Sequence, residues 1–106
     1  AGMKALLEGW GCIVLVANDE ETALEALRQR IPDLVIADYQ LDDGVTGLQL
    51  VEALSMASNR DFPVLVITAN NTEDIRRLTE EQGHMFMANP VKPARLRALM
   101  SSLLNR

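Results

Sequence analysis

Pro32-Asp33-Leu34-Val35-Ile36-Ala37-Asp38 is the stretch on which the fold turns. Four successive apolar residues, Leu34 to Ala37, deliver a single carboxylate at Asp38. A short continuous apolar run reads as a strand buried on both faces, the habit of parallel sheets. In an open parallel sheet, ligands sit outside the carboxyl ends of the strands. An ionised group at such an end is placed for chemistry and not for packing.

Three other runs follow the same pattern. Cys12-Ile13-Val14-Leu15-Val16-Ala17 ends in Asn18-Asp19. Pro63-Val64-Leu65-Val66-Ile67 ends in Thr68, and Met85-Phe86-Met87-Ala88 ends in Asn89-Pro90. Strands are therefore expected over 12–17, 34–38, 64–68 and 85–88. A fold that aligns their ends gathers Asp38, Thr68 and Asn89 into one cleft.

Helical patterns alternate with these runs, which indicates an α/β domain with a parallel sheet. Met3 to Glu8 reads as a helix stopped by Gly9 and Gly11. Asp19 suits the N-cap of a helix over 20–30, with Ala23, Leu24, Leu27 and Ile31 on one face and Pro32 as its stop. A helix over about 47–58 turns Leu48, Val51 and Leu54 inward. Thr72 suits the cap of the next helix, whose thin apolar face is Ile75 and Leu78, and Gly83 closes it. Pro93 suits the first turn of the last helix, with Leu96, Leu99, Met100 and Leu103 as its buried stripe. Cys12 reads as core, His84 as a surface turn residue, and Trp10 as a cover for the edge of the core.

At 106 residues the chain is one domain with room for one core, spanning 1–106. A formal net charge of -5 argues against a nucleic-acid surface, which would be basic. A single cysteine excludes an internal disulfide and fits a reducing compartment. No apolar stretch approaches the roughly 18 residues of a membrane span, and no signal-peptide pattern is visible. The expected setting is cytoplasmic, without direct contact with nucleic acid or membrane; a domain tethered to a membrane protein would read identically.

These residues resemble a response-regulator receiver domain, the phosphoacceptor module of two-component signalling. The resemblance runs along the whole chain. It is carried by Pro32 to Tyr39, Gly44-Val45-Thr46-Gly47-Leu48, Pro63 to Ala69 and Pro90-Val91-Lys92-Pro93-Ala94-Arg95-Leu96. It implies a doubly wound, flavodoxin-like fold and phosphoryl transfer from a histidine kinase or histidine phosphotransfer domain. Carried over by residue, it makes Asp38 the phosphoacceptor, Thr68 the hydroxyl that binds a phosphoryl oxygen, and Phe86 the aromatic switch. It makes Asp38 and the backbone carbonyl of Gln40 ligands to Mg²⁺. The turn from Leu41 to Leu48 is similar to receivers of hybrid sensor histidine kinases. The resemblance also implies a cis Asn89-Pro90 bond.

Three departures bear on the site. The family's first strand, with the acidic pair that holds Mg²⁺, has no counterpart here. Asn89 stands where the family has lysine, and Asp42 where proline is common. A neutral hydrogen bond is about half as strong as a charge-assisted one, so Asn89 weakens the phosphorylated state. Mg²⁺ affinity and phosphorylation of this chain are expected to be poor, with Asp42, Asp43 or Lys92 as candidate substitutes. In the family the missing strand lies between those corresponding to 12–17 and 34–38. The gap is expected to be filled by residues outside this sequence or by another chain, including a homodimer or strand exchange.

Two other functions compete. A degenerate receiver would serve only for docking or dimerisation. A hydrolase with Asp38 as nucleophile would want a second aspartate where Gln40 stands. A dinucleotide-binding fold is disfavoured, since no Gly-x-Gly-x-x-Gly follows any strand.

Overall fold

The apolar runs after residue 31 pair into one parallel sheet, β1 (Val35–Asp38), β2 (Val64–Thr68) and β3 (Met85–Ala88), in that order across the sheet. Val35 lies opposite Val64 and Asp38 opposite Ile67; Leu65 lies opposite Met85 and Thr68 opposite Ala88. The computed structural model describes residues 2–41, 44–69 and 73–105. Among these, five helices complete the fold: α1 (Gly2–Gly9), α2 (Glu20–Gln29), α3 (Gly47–Ser58), α4 (Glu73–Glu81) and α5 (Pro93–Leu104).

Alternation along β2 builds two cores. Val64 and Val66 join Ala37, Ala23 of α2 and Leu48, Val51 and Leu54 of α3. Leu65 and Ile67 join Met87, Leu7 of α1 and Leu96, Met100 and Leu103 of α5. Phe86, the neighbour of Met87, turns to the other face, where Arg76 of α4 lies 5.7 Å from its ring centroid. Hence α2, α3 and α4 cover one face, and α1 and α5 the other. Every residue of β2 is buried, as a central parallel strand requires.

Local signals set the helix ends. Asp19 caps α2, accepting from the Thr22 N–H at 2.8 Å, while the Thr22 hydroxyl oxygen accepts from the Asp19 N–H at 3.2 Å. Pro93 opens α5 where its missing N–H costs nothing. Gly83, at φ +81°, carries the chain out of α4 through the left-handed region that favours glycine.

Several expectations need correction. Residues 12–17 form no strand among the described residues, although Cys12 and Val14 pack against the α1–α5 core. A strand there needs a partner, and β1 stands across a groove. Ile31 lies past the end of α2 and is exposed. In α4, Leu78 is exposed and Thr79 takes the buried place, its hydroxyl donating to the Ile75 carbonyl at 2.8 Å. Cys12 and His84 are half-buried. The cap expected at Thr72 lies outside the described residues.

Candidate functional site at the carboxyl end of the sheet

Asp38 is the last residue of β1, and it is exposed. One of its carboxylate oxygens, Oδ1, accepts the Gln40 N–H at 3.1 Å. Beyond it the chain folds back on itself. The Tyr39 N–H extends the ladder to the Ile67 carbonyl at 2.8 Å, and the Gly47 N–H donates to the Tyr39 carbonyl at 2.8 Å. Gln40 and Thr46 form an isolated antiparallel bridge, closed on its other side by the Leu41 N–H on the Val45 carbonyl at 3.2 Å. Neither bond uses the Gln40 carbonyl.

Thr46 then starts α3. Its hydroxyl accepts from the Gln49 N–H at 3.1 Å, and its own N–H donates to the Gln49 side chain at 2.9 Å. Gly47 follows this reciprocal cap and lies directly on the backbone of Asp38, held by its own bond to the Tyr39 carbonyl. A Cβ at Gly47 would collide with the Asp38 carbonyl oxygen and sit 3.3 Å from the Ala37 Cβ. Glycine is needed there for close approach. The sequence placed Gly47 in a matching motif without revealing this contact.

Asp38, Gln40 and Asn89 line one groove of about 560 Å³, together with Asn18. The Asn89-Pro90 bond is cis. The Asn89 N–H donates to the Thr68 carbonyl at 2.9 Å, which ties the ends of β2 and β3 together. Thr68 is 1% exposed and does not line the groove. Thus three of the expected groups converge, while Thr68 adjoins them through its backbone. Phe86 is half-buried beneath Arg76. Lys92 is exposed and is not among the groove residues.

The donor set is thin for a divalent cation. Among the described residues no three His, Cys, Asp or Glu groups stand together in a metal-binding arrangement. Asp19 is engaged as a cap, and the Thr22 N–H and hydroxyl hold its carboxyl below the usual carboxylate value. Asp38 and the Gln40 carbonyl alone do not make a Mg²⁺ shell, which needs near-octahedral oxygen coordination. Asp42 and Asp43 lie outside the described residues. His84 stands apart from the groove; burial lowers its pKa, opposed by the nearby Asp61 charge.

An open parallel sheet with a carboxylate at the end of one strand and polar residues on its neighbours defines an α/β module of the receiver class. Residues 1–101 match the response regulator receiver domain, and the chain belongs to that family. It is 32% identical over 105 residues to the transcriptional regulatory protein ZraR of Escherichia coli O157:H7, covering 96% of this chain and 23% of that protein. It is 32% identical over 103 residues to the phosphate regulon transcriptional regulatory protein PhoB of Klebsiella pneumoniae, covering 95% and 44%. The chain therefore spans less than half of these curated relatives. In fold it is similar to the Vibrio cholerae chemotaxis protein CheY4, with a TM-score of 0.85 at 23% identity over 97% of this chain and 87% of that one. The receiver domain of NtrX from Brucella abortus gives 0.83 at 25% identity over 95% and 85%.

Proposed function

We propose that Asp38 accepts a phosphoryl group from a phosphohistidine of a histidine kinase or histidine phosphotransfer domain. The observation that carries this reading is the placement of Asp38. It is an exposed carboxylate at the carboxyl end of a parallel strand, with one oxygen held by the Gln40 N–H. A carboxylate oxygen attacks phosphorus, an O–P bond forms, and the P–N bond to the imidazole breaks with its electron pair left on nitrogen. Such a transfer rests on positioning and charge stabilisation more than on covalent chemistry from the protein. The Gly47 contact and the Gln40 N–H supply the positioning.

Receivers of this family use Mg²⁺ to neutralise the phosphoryl oxygens. In this chain the Asp38 carboxylate and the Gln40 carbonyl are the described groups on offer, and they are too few alone. Thr68 is proposed for a phosphoryl oxygen; its burial requires the end of β2 to open by a side-chain movement. Asn89 offers a neutral donor where an ammonium would give a charge-assisted bond. Phe86 is proposed as the side chain that reports the change, with Arg76 holding its resting position.

We read residues 1–106 as one receiver domain, with β1, β2 and β3 as its described strands. The turn at Leu41 to Leu48 favours a hybrid histidine kinase as the parent, working in the cytoplasm. No helix of the described residues is long and apolar enough to cross a membrane. Incubation with a phosphohistidine-bearing protein and Mg²⁺, followed by intact mass, tests the assignment. A gain of one phosphoryl group that Asp38→Asn abolishes is expected. The same gain in Asp38→Asn overturns it.

A further inference from the structure

Charge is unevenly spread along the chain. Residues 89–106 carry Lys92, Arg95, Arg97 and Arg106 and no aspartate or glutamate, a charge of +4. Residues 1–88 hold six cations and fifteen acids, a charge of -9. α5 is therefore a cationic helix on an acidic protein. Its inner side, Leu96, Met100 and Leu103, is buried in the core that Leu7 of α1 shares. Its outer side, Ala94, Arg97, Ala98 and Ser101, is exposed. Between that side and α1 runs a groove of about 490 Å³, walled on the α1 side by Leu6 and by Trp10 just past the helix end. The Arg97 guanidinium lies over the Trp10 ring, 5.6 Å from its centroid. Among the described residues no carboxylate pairs with Lys92, Arg95 or Arg97.

We propose that this groove docks an amphipathic α-helix of another protein, with its apolar side chains inward and a carboxylate on Arg97. From Pro93 to Ser101 the groove follows two turns of α5, roughly 12 Å, which suits apolar anchors at i, i+4 and i+7 of a facing helix. Leu6 and the Trp10 ring give those anchors an apolar wall, and the short side chains of α5 let them enter. Tryptophan and arginine are the side chains that most often dominate an interface. Attraction to the Trp10 ring holds the Arg97 guanidinium in place before anything binds. Its planar fork takes a carboxylate through two parallel bonds. No acid of α5 competes for it. On the partner helix, a glutamate three or four residues from an apolar anchor lies on the same face. A second copy docked symmetrically would bring its own Arg97 to the same place. An anionic membrane would meet a protein of net charge -5. An acidic helix meets neither obstacle, and its seat does not depend on the state of Asp38.

Trp10 is the only tryptophan of the chain, so its fluorescence reads the groove directly. The probe is a helical peptide of about 18 residues with leucines at i, i+4 and i+7 and glutamates at i+3 and i+8. The 106-residue protein should bind it saturably. The same peptide with glutamine for glutamate should bind about 10-fold more weakly. Arg97→Glu should reverse that order and favour a peptide with lysine for glutamate. Ala98→Arg, at an exposed position, should fold normally in thermal melts and block every peptide. No saturable change up to about 1 mM peptide overturns the proposal. Equal affinity for the glutamate and glutamine peptides overturns it, as does binding that neither substitution alters. Self-association in sedimentation that Ala98→Arg abolishes assigns the face to a second copy and overturns it. Binding to phosphatidylserine vesicles in preference to the peptide assigns it to a membrane and overturns it as well.

Discussion

Val64-Leu65-Val66-Ile67 and Ile13-Val14-Leu15-Val16 have the same composition, yet they end in opposite environments. The first is the core of β2, buried throughout and bonded on both sides. The second forms no ladder among the described residues, and three of its four side chains are exposed. Intrinsic strand preference is equal in the two. What differs is the neighbour: β2 lies between β1 and β3, whereas residues 13–16 look across a groove. β-propensity measures fit to a pleated, half-buried surface, and without that surface it specifies nothing.

Truncation gives the largest contrast. Leu65→Ala should cost about 2–5 kcal/mol in denaturant unfolding, through lost burial and a residual cavity. Leu15→Ala, at a position already 46% exposed, should change stability by no more than about 0.5 kcal/mol. Equal losses would show that residues 13–16 are as well packed as β2 and would break the comparison.

Gly47→Ala probes the end of β1. The added methyl meets the Asp38 carbonyl oxygen, which belongs to backbone and cannot rotate away. A loss of about 1–3 kcal/mol is expected, with phosphoryl uptake at Asp38 reduced more steeply than stability. Uptake falling no further than the folded fraction would show that Gly47 does not position the acceptor. Thr46→Ala sharpens the point with a smaller change. It removes the cap of α3 at about 1 kcal/mol and leaves the Gly47 contact in place, so it should lower the melting temperature and spare uptake.

Much of this was legible in the residues. Parallel strands buried on both faces announce themselves as unbroken apolar runs, and β1, β2 and β3 fall where those runs stand. Caps such as Asp19 and Pro93 are local chemistry and read directly. The failures are non-local. Nothing within residues 12–17 says that they form no ladder among the described residues; that depends on what lies beside them. The exchange of Leu78 for Thr79 on the buried side of α4 escaped because the Thr79 hydroxyl is satisfied within its own helix. At the site, Asp38, Gln40 and Asn89 converge because strand ends align. The burial of the Thr68 side chain and the close approach of Gly47 depend on packing that no spacing encodes.

The smallest expected effect is at the other edge of the sheet. His84 precedes β3, and burial disfavours its charged form, holding its pKa below the ordinary 6.5. Between the lowered folded value and the unfolded value, the unfolded chain binds more protons. Stability should be complete above about pH 6.5 and decline as pH falls through the window beneath it. The Asp61 charge opposes the burial effect, so the slope should be shallow. His84→Gln should flatten it in thermal melts; an unchanged slope would assign it to the carboxylates.

The most direct measurement traps the phosphoryl group where it lands. An aspartyl phosphate is an acyl phosphate, which borohydride reduces to an alcohol that stays on the residue through digestion. After incubation with a phosphohistidine donor and Mg²⁺, the peptide carrying residue 38 should hold the reduced residue. Its yield should be low in the native chain and higher in Asn89→Lys, where an ammonium restores a charge-assisted contact. Reduction confined to Asp38 in both proteins is the predicted result. Reduction at another carboxylate, or at none in either protein, would contradict the assignment of Asp38 as the phosphoacceptor.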